Sequence, residues 1–233
     1  NTLTGDAGND TLVGGLGADT LVGGLGADTL VGGLGGDVYV VDNAGDVVTE
    51  LTSEGTDEVR SSVTYILSAN VENLTLTGAE NIDGTGNDLF NVLTGNSGNN
   101  TLDGGLGADT LVGGLGDDVY LIDHVSDVVI ESENGGSDTV RAAVSFDLTD
   151  THIENLVLTG ASNINATGNM FDNSLEGNSG DNVFRGGLGV DIVYFRGLFS
   201  DYSIDATSDL SWVLTDLNGA DGDTGTDTVY TDV

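Results

Sequence analysis

The chain has 233 residues, 39 of them acidic and 4 basic, the basic ones all arginine, for a formal net charge of -35. Charge of this size opposes compaction and excludes electrostatic attraction to nucleic acid or anionic lipid, which leaves cations as the natural counterpart. With 38 Gly, no Pro and no Cys, disulfides and thiolate metal sites are excluded, and a turn-rich β architecture is favoured over a helical one.

No stretch approaches the roughly 18 to 20 apolar residues of a membrane span, so no membrane insertion is expected, and residues 1–30 carry no basic-then-apolar leader. The opening Asn1-Thr2-Leu3-Thr4 matches the last four positions of the unit that follows, so the sequence reads as starting inside a longer repeat array.

In chain order, residues 5–13 read GDAGNDTLV, 14–22 and 23–31 both read GGLGADTLV, and 32–40 read GGLGGDVYV. Asp10, Asp19, Asp28 and Asp37 thus fall at nine-residue steps, and the step continues to Asp46. The register returns over 86–121, with Asn91, Asn100, Asp109 and Asp118 in that slot and Asp127 one step on, and over 168–194, with Asn173, Asn182 and Asp191. A fixed short period of this kind marks a solenoid.

A longer period overlies it. GGLGGDVYVVDNAGDVVTE at 32–50 is echoed at 113–131, GTDEVR at 55–60 by GSDTVR at 136–141, and VENLTLTG at 71–78 by IENLVLTG at 153–160. The chain therefore divides into a repeat block at 1–46, longer β-helix rungs at 47–85, a block at 86–127, rungs at 128–167, a block at 168–197 and a cap at 198–233. Asp118 stands a whole number of nonapeptide lengths after Asp37, so one continuous winding is expected. In the cap, DYSIDAT and LSWVLTDL alternate like two ordinary strands. Asp221, Asp223 and Asp227 miss the EF-hand spacing and are expected in a plain exposed turn.

The nonapeptide has a mechanical reading. GGxG supplies positions where the chain can turn sharply and aim carbonyl oxygens inward, and the aspartate adds a carboxylate at the end of the turn. The last three residues form a short strand whose central side chain faces inside: Leu12, Leu21, Leu30 and Tyr39, then Leu93, Leu102, Leu111 and Tyr120, then Leu175, Phe184 and Val193. If one nonapeptide is half a coil, loops two repeats apart stack at about 4.8 Å and their aspartates share a slot. The pairs implied are Asp10 with Asp28, Asp19 with Asp37, Asp28 with Asp46, Asn91 with Asp109 and Asp109 with Asp127.

A slot lined only by carboxylate and carbonyl oxygens is a hard-cation site that suits Ca²⁺ better than Mg²⁺. The candidate ligands for several Ca²⁺ ions are Asp10, Asp19, Asp28, Asp37, Asp46, Asn91, Asn100, Asp109, Asp118, Asp127, Asn173 and Asp191. An Asn keeps an oxygen but loses a charge, so weaker sites, or none, are expected at Asn91, Asn100, Asn173 and Asn182.

These residues resemble the RTX, or haemolysin-type, calcium-binding repeat GGxGxDxUx over 1–46, 86–127 and 168–194. The resemblance implies an all-β, right-handed parallel β-roll or β-helix solenoid, here with a small C-terminal β cap. It also implies Ca²⁺ held between turns by aspartate and loop carbonyls, type I secretion, and folding only in calcium-rich surroundings outside the cell or at its surface. The departures are Asp6 in place of the second glycine of the first repeat and loops near Asp46 and Asp127 that lack the glycine pair.

Catalysis is not expected. GxSxG, HExxH and GxGxxG are absent, and with no lysine there is no Walker loop. His124 and His152 read as surface or loop residues. The expected function is a calcium-binding, secreted structural or adhesive repeat protein, a stalk, surface-layer, filament or adhesin segment. Its partners would be calcium ions and, end to end, further copies or further repeats. The alternative is a carrier or targeting module of an exported enzyme or toxin, since similar rolls accompany secreted proteases, lipases and alginate epimerases.

Overall fold

The computed structural model describes residues 1–196, 198–207, 210–218 and 225–230, so Asp221 and Asp223 lie outside the described residues. Contacts divide the chain into two compact units, Asn1–Tyr120 with Ser126–Ile130, and Leu121–Val125 with Glu131–Val233. Both are built mainly from short parallel strands, and among the described residues there is one 3₁₀ turn, at Phe199–Asp201.

In the first unit, one sheet stacks Thr2–Thr4, Thr20–Val22, Val38–Val41, Glu58–Ser61, Asn73–Leu76, Val92–Thr94, Thr110–Val112 and Val128–Ile130 in that order. Within the first repeat block Leu3 lies opposite Leu21 and Leu21 opposite Tyr39, so one coil is two nonapeptides. Between the blocks the step is longer than two repeats from Tyr39 to Val59, shorter from Val59 to Leu74, and longer again from Leu74 to Leu93. The strands nonetheless stay parallel neighbours of the same sheet. The longer rungs at 47–85 thus continue the winding by trading loop length between successive coils. The intervening half-coils give Thr11–Leu16, Thr29–Leu34 and Val47–Thr49 in one sheet, and Tyr65–Ile66, Gly84–Thr85 and Thr101–Asp103 in another.

The core follows from the strand period. In each TLV-type strand the central side chain points inward, and Leu12, Leu21, Leu30, Tyr39, Leu93, Leu102, Leu111, Tyr120, Leu175 and Phe184 are all buried. Val193 differs. It lies on the edge strand Ile192–Tyr194, with a partner on one side only, and is half-buried.

The turns rest on backbone shape. Gly24 has φ +90°, and a Cβ added there would fall on the Asp6 carbonyl of the coil before it. Asp6, which replaces the corresponding glycine, still adopts φ 73°, a conformation that Asp tolerates better than most residues.

In the second unit, Thr139–Ala142, Asn155–Leu158, Ser174–Glu176 and Ile192–Tyr194 stack in parallel, as do Phe146–Asp147, Ala166–Thr167 and Val183–Arg185. The two alternating segments of the cap form the antiparallel strands Tyr202–Ala206 and Ser211–Asp216. Thr226–Tyr230 then pairs antiparallel with Ser211–Asp216 and parallel with Val183–Arg185. The expectation of an exposed turn at Asp227 is corrected by this pairing: Asp227 is buried. The physical reason is in the sequence, where GTDTVY at 225–230 repeats the pattern of GTDEVR and GSDTVR. After the hairpin the chain re-enters the roll as one more rung.

Candidate metal centre

Each loop carboxylate caps the loop one coil before it. Oδ1 of Asp28 accepts the Asp10 N–H at 2.8 Å, Oδ1 of Asp46 accepts that of Asp28 at 3.0 Å, and Oδ1 of Asp37 accepts that of Asp19 at 2.7 Å. The row continues from Asp37 N–H to Asp57 Oδ1 at 2.7 Å and from Asp57 N–H to Glu72 Oε2 at 2.9 Å. Further on, Asn91 donates to Asp109, Asp109 to Asp127 and Asn100 to Asp118. In the second unit Asn173 donates to Asp191, Asn182 to Asp227 and Asp138 to Glu154. All five pairs expected from the nine-residue step are brought together.

The second carboxylate oxygen is left over. Oδ2 of Asp10, Asp19, Asp28, Asp37 and Asp57 is buried and has no hydrogen-bond partner among the described residues. Leaving a charged oxygen buried without a partner costs several kcal/mol, so these atoms call for a positive neighbour. The surroundings supply the rest of a ligand set. A Cβ placed on Gly14 would lie 2.8 Å from both Asp19 Oδ2 and the Gly32 carbonyl, and one on Gly5 would lie 2.8 Å from Asp10 Oδ2 beside the Gly23 carbonyl. Glycine keeps that space clear, and what converges on it is oxygen alone. Such a donor set fits Ca²⁺.

In the asparagine repeats the side-chain amide at the same position is held by hydrogen bonds. Asn100 Nδ2 donates to the Ile82 carbonyl at 2.6 Å and to Asn96 Oδ1 at 3.1 Å, while its Oδ1 accepts the Asn96 N–H. Asn91 and Asn173 likewise donate to carbonyls of the preceding coil, Val71 with Glu72 and Ile153 with Glu154, and Asn182 donates to Ile164. A second asparagine joins each of them at the second position of the loop. Asn87, Asn96, Asn169 and Asn178 donate to the coil before through Ser68 with Val71, Thr77 with Glu80, Thr151 with Ile153, and Thr159 with Ser162. The spacing GNxxxN was visible in the sequence as a distinct loop type, and sequence reasoning passed over it.

Among the other candidates, Asp46 is buried, but its Oδ2 already accepts from the Asp42 and Asn43 N–H groups, and Asp127 and Asp191 are half-buried. His124 is exposed. His152 is half-buried, with Nδ1 3.1 Å from the Glu131 carbonyl and its ring tilted on Phe171.

Sequence reasoning also missed Asp57 and Glu50. Asp57 is 1% exposed and continues the Asp19–Asp37 row; the signal was the GTDEVR echo, read only as a duplication mark. Glu50 is buried beside it, with Oε1 accepting the Tyr39 hydroxyl. Burial, then the charge of Asp57, the hydrogen bond and charge of Glu54 and the charge of Asp37, pushes the Glu50 carboxyl up to about 8. Asp57 is raised as well, by burial first.

Fold and loops together define a parallel β-solenoid whose turns carry carboxylate slots: a calcium-binding repeat protein. The chain carries the RTX calcium-binding nonapeptide repeat in four copies, matched over residues 2–39, 85–120 and 167–197. No curated protein matches it. Among the described residues no helix is long and apolar enough to cross a membrane.

Proposed function

We propose that the chain is a calcium-folded structural segment of a secreted protein, part of a stalk, surface layer, filament or adhesin, without catalytic activity of its own. The observation that carries this reading is the set of buried Oδ2 atoms of Asp10, Asp19, Asp28 and Asp37, each without a hydrogen-bond partner among the described residues. The loops at Asp10, Asp28 and Asp37 ask for a cation, and the block has no basic side chain to offer; only Asp19 meets a positive group, the N-terminal ammonium at 2.5 Å from its Oδ1. Aspartate repulsion and a core about one side chain wide do not offset chain entropy, so ion binding becomes folding free energy. Extracellular calcium modules work at about 10⁻⁴ to 10⁻³ M. A chain tuned to that range stays unfolded through export and becomes rigid outside the cell. Asp10, Asp19, Asp28, Asp37, Asp109, Asp118 and Asp191 are the proposed ligands, and the asparagine-bearing coils hold themselves by hydrogen bonds.

The test is circular dichroism of the chelated chain titrated with Ca²⁺ and, separately, with Mg²⁺. A cooperative gain of β signal with Ca²⁺ alone is expected. A chelated chain already fully folded and indifferent to Ca²⁺ would overturn the proposal. The flanking gene sequence decides between structural segment and carrier: further repeats support the structural segment, catalytic motifs the carrier.

A further inference from the structure

The first of the three stretches that match the nonapeptide ends at residue 39, and one coil later the slot changes its composition. Thr29, Leu30 and Val31 pair with Val47, Val48 and Thr49, so Glu50 stands in register with Gly32. Where the regular loop has a glycine and offers only its carbonyl, this coil brings in a carboxylate. Oxygens of Asp37, Glu50 and Asp57 all lie within 4.8 Å of one another, and the three residues are 1%, 5% and 1% exposed.

Three carboxylates in one buried pocket cannot all be ionised unless something positive stands between them. Each also keeps one buried oxygen without a hydrogen-bond partner among the described residues: Asp37 Oδ2, Glu50 Oε2 and Asp57 Oδ2. Their other oxygens are in use. Asp37 and Asp57 accept the N–H groups of Asp19 and Asp37, and Glu50 accepts the Tyr39 hydroxyl, which fixes its carboxylate in the slot. Gly32 closes one wall, since a Cβ there would fall on the Tyr39 hydroxyl, Asp37 Oδ2 and Glu50 Oε1. Ligand oxygens on opposite sides of a calcium ion are separated by about twice a Ca–O bond of roughly 2.4 Å, so one ion can reach all three. Mg²⁺, with bonds of about 2.1 Å and a preference for keeping its waters, fits a pocket of this spread less well.

We propose that Asp37, Glu50 and Asp57 hold a calcium ion in a site that takes only Asp37 from the nonapeptide motif, tighter than the two-carboxylate slots of the repeat rows, and that this ion fastens the longer rungs to the first repeat block. The proposal rests on the calcium reading only for the identity of the ion. The higher affinity follows from ligand charge, three carboxylates against two. The fastening follows from connectivity: Asp37 belongs to the last nonapeptide, Glu50 to the connecting segment and Asp57 to the first of the longer rungs. The same residue types recur at the same spacing in the second copy of the long sequence period, as Asp118, Glu131 and Asp138.

The experiment is a crystal of the whole chain grown in Ca²⁺, with anomalous peaks located, alongside Ca²⁺-binding isotherms of the wild type, Glu50→Gln, Glu50→Asp and the exposed control Glu80→Gln. An anomalous peak within about 2.6 Å of an oxygen from each of the three residues is expected. In solution Glu50→Gln should lose the tightest ion, and Glu80→Gln should match the wild type. If Glu50→Gln fails to fold at saturating Ca²⁺, Glu50→Asp, which keeps the charge and shortens the reach, should weaken that one ion by more than about tenfold. Peaks in the Asp10–Asp28 slot with none at the triad, or an unchanged first binding step in Glu50→Asp, would overturn this site and leave the repeat-row reading intact. No peak anywhere would overturn both, together with a chain that ignores Ca²⁺ in circular dichroism.

Discussion

The backbone N–H of Asp10 donates to Oδ1 of Asp28, 2.8 Å away and one full coil further along the chain. One side chain thereby does two things: Oδ1 fixes the spacing of adjacent loops, and Oδ2, buried and unpartnered, faces the space between them. Loop stacking and cation demand are therefore not separable in this molecule, because a loop that stacks correctly creates a buried negative oxygen as it does so.

Asp28→Asn separates the two roles. The amide oxygen can still accept the Asp10 N–H, so the coil spacing should survive, while the slot loses a charge. The chain should still reach the same β signal, with the Ca²⁺ midpoint raised by about tenfold or more. Asp28→Ala removes both roles and should leave residues 5–46 unprotected in hydrogen exchange even at saturating Ca²⁺. If Asp28→Asn titrates like the wild type, Asp28 carries no ion.

Much of this could be read in the sequence, for a reason tied to the period. The nine-residue step fixes which side chains point inward and which loops stack, so the leucine column and the pairs Asp10–Asp28 and Asp19–Asp37 follow by counting. The count fails where loop lengths vary: Asp57 is 20 residues from Asp37, and Glu72 is 15 from Asp57, so neither sits at a multiple of nine. It fails also at Asp227: its 45 residues from Asn182 are a multiple of nine but not the two-repeat step of one coil, because a whole hairpin intervenes before the chain resumes its winding. The self-satisfied state of Asn100 was out of reach for another reason. An Asn at a ligand position reads as a weaker acceptor until the carbonyl opposite its Nδ2, here that of Ile82, is known.

Gly24 tests the close approach of coils. Its φ of +90° disfavours any side chain, and an added Cβ would overlap the Asp6 carbonyl. Gly15 has a similar φ of +103° but open space around it. Gly15→Ala should cost about 1 kcal/mol of backbone strain, and Gly24→Ala distinctly more, about 2 to 4 kcal/mol, because the Asp6 backbone must also shift. Thermal unfolding of both variants in saturating Ca²⁺ should rank them in that order. Equal losses would mean that the coils are spaced more widely than the structure places them.

Glu50 predicts how the metal-free chain responds to acid. Burial and its acidic neighbours hold it at about 8, against an ordinary value of 4.5. The folded metal-free chain thus keeps this proton over a range where the unfolded chain has lost it, so protonation favours the fold. That contribution is whole below about 4.5 and disappears as pH rises to about 8. In chelator, β signal should increase on going from about pH 8 to about pH 5, and Glu50→Gln, neutral throughout, should show a flatter profile. Parallel profiles for the two proteins would show that Glu50 ionises normally in the folded chain.

Asn100→Asp runs the slot chemistry in reverse. The Nδ2 that donates to the Ile82 carbonyl at 2.6 Å becomes a carboxylate oxygen, so a buried negative charge faces a carbonyl, and Asn96 Oδ1 keeps the Gly98 N–H but loses its second donor. Without metal this should cost about 3 kcal/mol or more, the scale of an uncompensated buried charge. Added Ca²⁺ can stand where the amide hydrogens were, between the new carboxylate and the carbonyl, so the loss should shrink as Ca²⁺ rises and the variant should bind one ion more than the wild type. Stability measured against denaturant at a series of Ca²⁺ concentrations gives both quantities at once. A variant destabilised equally at every Ca²⁺ concentration would show that this loop type excludes the ion by its shape, and that the carboxylate alone does not convert an asparagine coil into a calcium coil.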